Sequence, residues 1–257
     1  VYRIGFCADD KSIVNLRVGA PEPGSPRPSC CPARATRREA LLVQCGPGRA
    51  SDSSGPVAPV VILGLLAGSI VGLAVAPLVL DPSYSSVQHT TSEAAGQRVE
   101  GAWVPRSGSL LFGLAVIWLV HRSAAPWRQP ATALHVAFGS CLVAVAAFSL
   151  RSWEGSRPYD RTEDLLHSIA ATVMGFAFAL GVAAIGLRRD GTRRRRGLDV
   201  VAAASVAIRV AMAASTDHAG ALQRAMFGIA YVWYARETVY DLRTAPRPRR
   251  WRRGAGG

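Results

Sequence analysis

The sequence predicts an all-α membrane protein, a bundle of six transmembrane helices with both termini on the cytoplasmic side. Three observations carry this expectation. The apolar residues, 49% of the chain, stand in long uncharged blocks rather than at amphipathic spacing. Three of the blocks (57–80, 131–150, 165–187) reach the ~20 residues needed to cross a hydrocarbon layer about 30 Å thick, and three weaker ones, each of which alone would also suit a buried helix of a soluble protein, are read as spans beside them. The basic residues fall in alternate connecting segments. Strand-like alternation is absent, so the spans are read as helical rather than as a closed barrel.

The chain has 257 residues, with 30 basic and 17 acidic side chains and a formal net charge of +13. That balance excludes an acidic disordered chain, a collagen, a coiled coil and a disulfide-dense mini-protein. It leaves a basic nucleic-acid binder and a membrane protein, and the placement of residues decides between them.

Residues 1–56 are rich in Pro, Gly, Ser and Arg and show no persistent period. They are expected to be a disordered basic segment. Four of the five cysteines (Cys7, Cys30, Cys31, Cys45) lie here; the adjacent Cys30-Cys31 has no second pair at zinc-ligand spacing. The apolar run that follows starts too late and is too long for a signal peptide. The chain begins with Val, so much of this segment is expected to be dispensable or a start-site artefact. The six-helix domain is expected over 57–236, and 237–257 as a disordered basic tail.

The first span, 57–80, is free of charge and carries Gly64, Gly68, Gly72 and Ala76 at four-residue spacing, a stripe that lets helices approach closely. Pro59 and Pro77 should limit or bend it. The second, 107–120, reaches full length if extended back to Trp103. The third is 131–150. The fourth, 165–187, carries the stripe Ala171, Gly175, Ala179. The fifth, 198–214, carries Ala203, Ala207, Ala211 and also Arg209. The sixth, 219–235, has Gln223 and Arg224 near its start.

With the N-terminus inside, the inner segments (1–56, 121–130, 188–197, 236–257) hold 23 basic residues. The outer ones (81–106, 151–164, 215–218) hold 5, against 8 acidic residues. This is the positive-inside pattern of a plasma-membrane protein. Trp103 and Trp153 at outer ends, and Trp118, Trp127 and Trp233 at inner ends, are expected to act as interfacial anchors. Arg193–Arg196 and the 247–253 arginines then flank spans and meet lipid headgroups, so membrane lipids are the expected partner and nucleic acid is not. An Ala/Arg/Gly-rich chain whose only lysine is Lys11 points to a GC-rich bacterial genome.

Ionisable residues in or beside a span are costly and face the bundle interior. His89, Ser92, Glu93, Gly96 and Gln97 would share one face of a helix. A capping box, Thr90 with Glu93, accounts for two of these positions but not for His89 or Gln97. Glu163 and Asp164 stand within a turn of His167, which favours a charged imidazole, though acidic residues also suit a helix start. Arg209 and Arg224 are expected to pair internally with Glu93, Asp164 or Asp217, or else to snorkel or bind an anionic headgroup. His135 lies too deep to join the outer group and is read as a hydrogen-bonded packing residue.

His89-Thr-Thr-Ser92-Glu93 after the first span, Leu134-His135, Leu166-His167 and Gly220-x-x-Gln223-Arg224 are together similar to domain-of-unknown-function family 998. The resemblance covers roughly 57–235. It implies a six-helix integral membrane protein of uncharacterised activity, and it carries over His89, Ser92, Glu93, His167, Gln223 and Arg224 as motif positions. Arg209 belongs to none of these motifs.

Three functional readings follow. The first is an outer-facing polar site of His89, Ser92, Glu93, Asp164, His167, Gln223 and Arg224 that binds a lipid headgroup or small polar solute. The second is a structural or assembly protein whose polar cluster only locks the bundle. The third is a metal hydrolase using His89, His167 and His218 with Glu93 or Asp164, for which H-E-x-x-H and a nucleophile elbow are both missing. The sequence favours a protein that is not an enzyme, and assigns no catalytic residue, metal ligand or cofactor.

Overall fold

The computed structural model describes residues 57–127, 129–188 and 193–244, all in one unit of the chain. The regular elements among the described residues are all helices, with no strand. The helices are α1 (Val57–Val79), α2 (Thr91–Ala94), α3 (Trp103–Trp127), α4 (Ala131–Ala147), α5 (Arg161–Gly186), α6 (Arg193–Ala204), α7 (Val206–Ala214) and α8 (Ala219–Thr244). A 3₁₀ turn, Thr216–His218, joins α7 to α8. Each long helix packs on the next, and α8 returns to pack on α1, which closes the ring. One end of the bundle carries the 81–102, 148–160 and 215–218 connections and is here the loop end. The other, where Arg122, Arg188 and Arg196 lie, is the arginine end.

Four helical segments are long and apolar enough to cross a membrane: Val57–Val79, Trp103–Ser123, Arg161–Gly186 and Arg196–Ala214. Two of the six expected spans stand outside this set. α4 is apolar but only 17 residues long. α8 is long but carries Arg224, Arg236, Glu237 and Asp241. Leu78, Leu165, Ile169, Phe176, Leu180 and Val210 point outward from these helices, leaving apolar surface where a soluble fold would place polar groups.

Local chemistry sets the boundaries that differ from expectation. α4 stops at Ala147, three residues short of its block, because the backbone of 148–151 is bonded by α5 side chains instead. The fifth block breaks at Ser205, whose hydroxyl donates to the Ala202 carbonyl at 2.6 Å and competes with the helix ladder. α8 runs through Thr244, beyond the expected start of a tail at 237, and buries Glu237 and Thr238. The expectations for 1–56, its cysteines and the 247–253 arginines lie outside the described residues.

The core joins α3 (Phe112, Ala115, Val116, Leu119, Val120) to α8 (Phe227, Ala230, Tyr231, Trp233, Tyr234) and to facing residues of α1, α4 and α5. Phe112 stacks on Tyr231 with ring centroids 4.2 Å apart. Gly68 and Gly72 of α1 face α3, where Gly72 lies against the Gly108 backbone; Gly64 faces open space. The buried Ser69 between them donates to the Gly108 carbonyl at 2.6 Å and bonds the Tyr231 hydroxyl. The α5 stripe is likewise used, with Ala171, Gly175 and Ala179 buried. The Ala203–Ala211 stripe is not: Ala207 and Ala211 are exposed, and Ala202, Ser205 and Met212 form the packed face.

Candidate functional site

At the loop end, the first turn of α8 receives the 84–92 segment. The opening N–H groups of a helix lack intrahelical partners and attract carbonyl oxygens. Here four consecutive carbonyls converge on them and on one guanidinium. Gly220 N–H donates to Gln88 O at 3.2 Å and Ala221 N–H to Val87 O at 2.9 Å. Arg224 Nη1 donates to the flanking carbonyls of Ser86 and His89, and its Nη2 to the Tyr84 hydroxyl at 2.6 Å. A side chain at Gly220 would collide with the His89 carbonyl, so this approach requires glycine.

One turn along, Gln223 is buried and spends its oxygen on Thr91, accepting from the backbone N–H at 2.6 Å and the hydroxyl at 2.8 Å. Its amide reaches Ser92 Oγ at 3.4 Å. Thr90 and Glu93 form the full capping box of α2: Thr90 N–H and Oγ1 donate to Glu93 Oε2, and Glu93 N–H donates to Thr90 Oγ1. The Glu93 carboxylate thus serves its own helix rather than Arg224. α2 is only four residues long, so the single face expected for His89, Ser92, Glu93, Gly96 and Gln97 does not form. His89 Nδ1 accepts from Ser85 N–H at 3.0 Å, and its ring stacks on Trp153.

A second clamp lies on α5. Asp160 caps the helix by accepting from the N–H groups of Thr162 and Glu163. Glu163 Oε1 then takes the Ser149 N–H at 2.7 Å, Asp164 Oδ1 the Arg151 N–H at 2.8 Å, and His167 Nδ1 bonds the Phe148 carbonyl at 2.8 Å. Neither carboxylate is spent on the imidazole, contrary to the charged pairing expected. His167 is only 1% exposed. Gln97 ties the first loop to this clamp, donating to Ser149 O and Asp160 O and accepting from Asp160 N–H.

The expected set is therefore divided. The structure brings His89, Ser92, Glu93, Gln223 and Arg224 together; Asp164 and His167 belong to the α5 clamp. Arg224 pairs with neutral oxygens rather than with a carboxylate. Arg209 has no ion pair or hydrogen bond among the described residues; its stem lies over Gly175. Asp217 and His218 are exposed. Among the described residues no three His, Cys, Asp or Glu side chains converge as metal ligands, so the His89, His167, His218 set is not assembled.

Beside the α8 lock is an open cleft of about 480 Å³, lined by Gln88, His89, Thr90, Glu93, Leu150, Trp153, Thr216, Asp217 and Ala219. Burial pushes the Tyr84 phenol up from its ordinary value, against the pull of Arg224, so it remains a donor to the His89 and Thr90 carbonyls. Asp81, at the surface, is held below the ordinary carboxylate range by the Ser83 backbone N–H.

The arginine end holds His135 together with polar residues for which the sequence carried no expectation, Asp199, Arg122 and Asp241. Asp199, 5% exposed, accepts from Trp233 Nε1 at 2.9 Å. Arg122 pairs with Asp241 at 3.2 Å. His135 is fully buried, bonds the Tyr234 hydroxyl at 2.7 Å and stacks on Trp233 at 5.0 Å, which bears out its packing role. Trp127 and Trp233 are core partners of this histidine rather than interfacial anchors. The available signal was Asp199 itself, an acidic residue inside an apolar block.

No curated protein and no solved structure matches the chain. The family described as Protein of unknown function (DUF998) matches residues 51–238, taking in all of the described helices except the end of α8. The chain belongs to this family.

Proposed function

We propose that the chain is a plasma-membrane protein of six crossings, with both termini on the cytoplasmic side, whose motif residues lock an outer polar cap onto the bundle. The supporting observation is the convergence of the 86–89 carbonyls on α8. Gly220, Gln223 and Arg224 direct hydrogen bonds to the 84–92 segment, and among the described residues no carboxylate pairs with the guanidinium. Apolar outward faces and the 23-to-5 bias of basic residues support the membrane placement. α4 and α8 cross as bundle members, their polar groups turned to partners.

Two measurements test this reading. A reporter fused after Arg196 should be cytoplasmic and one inserted after Gly155 should be periplasmic; the reverse result rejects the topology. Arg224→Ala should loosen the cap, read as faster proteolysis within 81–102 at unchanged membrane insertion. Unchanged proteolysis rejects the lock.

A second reading is favoured by the cleft. Two carboxylates (Glu93, Asp217) and the rings of His89 and Trp153 line it, with no lysine or arginine among the lining residues. It suits a small polar solute bearing a positive charge, held by ionic and cation–π attraction. Quenching of Trp153 fluorescence by a panel of amines, absent in Asp217→Asn, would support this reading; an equal response in the variant would reject it.

A further inference from the structure

A groove of about 380 Å³ runs between α1 and α8. Leu73 and Ala74 of α1 and Phe227 and Tyr231 of α8 form its walls, and Arg224 stands at its loop end. Along α8 it extends from Arg224 to Val232, about 12 Å at the helical rise. It has open space at Gly228, where an added Cβ would meet nothing within 4 Å.

The groove is polar at one end and apolar below. Arg224 is a permanent cation whose bonding partners are three carbonyls and a phenol, all neutral, and it makes no ion pair among the described residues. An unneutralised guanidinium near the edge of a hydrocarbon layer attracts an anion at headgroup depth. An apolar channel directly below it accommodates a hydrocarbon chain. One molecule satisfies both halves, an amphiphile with an anionic head.

We propose that this groove is a binding site for one anionic phospholipid, its phosphate beside Arg224 and one acyl chain along Gly228. The inference rests on the membrane placement above and is independent of the cleft at Trp153. The discriminating variant is Gly228→Leu, which fills the groove without touching the lock. Leucine also has the higher helix propensity, so folding is not put at risk. Gly228→Ala, which keeps the groove open, is the control.

The experiment uses full-length protein purified in mild detergent. It reads lipid retained in native mass spectrometry, together with the shift in unfolding temperature on adding phosphatidylglycerol, phosphatidylcholine, oleate or inorganic phosphate. The wild type and Gly228→Ala should retain one phosphatidylglycerol and be stabilised by it more than by the other three. Gly228→Leu should bind it at least about tenfold more weakly, at an undiminished unfolding temperature without lipid. Equal retention by Gly228→Leu overturns the proposal. So does equal stabilisation by phosphatidylcholine or oleate, or a full effect from inorganic phosphate alone. A protein that is monodisperse without detergent overturns the membrane placement itself; one that requires detergent but retains no lipid overturns only this site.

Discussion

α8 is anchored at both ends, and the two anchors are built differently. At the loop end its partners are mostly backbone: the carbonyls of 86–89 meet its first turn and Arg224, and the hydroxyls of Tyr84 and Thr91 add to them. At the arginine end its partners are side chains: Trp233 with Asp199, Tyr234 with His135, Asp241 with Arg122. An anchor made mainly through backbone fixes the path of a connecting segment. A side-chain anchor fixes which helices are neighbours. The first organises a cap, and the second organises the bundle.

This contrast can be broken by mutation, and the largest effect is expected at the closest contact. Gly220→Val places a branched side chain against the His89 carbonyl and should cost more than about 4 kcal/mol, read as lost monodisperse protein in detergent. Arg224→Ala should follow, at about 3 kcal/mol in thermal unfolding, since it strips donors from the Ser86 and His89 carbonyls. Lysine should restore under half of this, lacking the fork that reaches both carbonyls and Tyr84. At the other end, His135→Ala should cost about 2–4 kcal/mol by emptying a buried site, while leaving proteolysis of 81–102 unchanged. A matching change in the cap would mean that the two anchors are not separable.

Smaller effects sharpen the picture. Thr90→Ala removes a capping side chain and should cost about 1 kcal/mol, confined to the loop end. The smallest effect concerns pH. The Asp81 carboxyl is stabilised in its charged form by the fold, so its contribution is complete above the unfolded value and disappears as pH falls through the lower folded one. The acid limb of stability against pH should therefore flatten slightly in Asp81→Asn, whereas an unchanged limb would show that the Ser83 contact is not maintained in solution.

Much of the bundle was legible because helices advertise themselves locally. The blocks at 57–80 and 165–187 became α1 and α5 within a few residues. The Thr90–Glu93 box was legible for the same reason, being complete within four residues. What escaped depended on distant groups. The early end of α4 is set by Glu163, Asp164 and His167, which are remote in sequence from Ala147. The partners of Arg224 are carbonyls, which every residue possesses and no sequence marks. Glu237 reads as the start of a charged tail but is buried inside α8. Trp127 and Trp233 have the composition of membrane anchors, and only their packing on His135 shows otherwise.

The α5 clamp has a mechanical consequence for the lipid around it. By taking the 148–151 backbone, it leaves α4 with 17 residues, about 26 Å of rod against roughly 30 Å of hydrocarbon. Its neighbours α3 and α5 have 25 and 26 residues, so the shortfall is local to one flank. In the six-crossing arrangement proposed above, acyl chains beside α4 would compress or splay to cover it, a thinning confined to that side. Such a dimple would favour thinner bilayers without any specific contact being made.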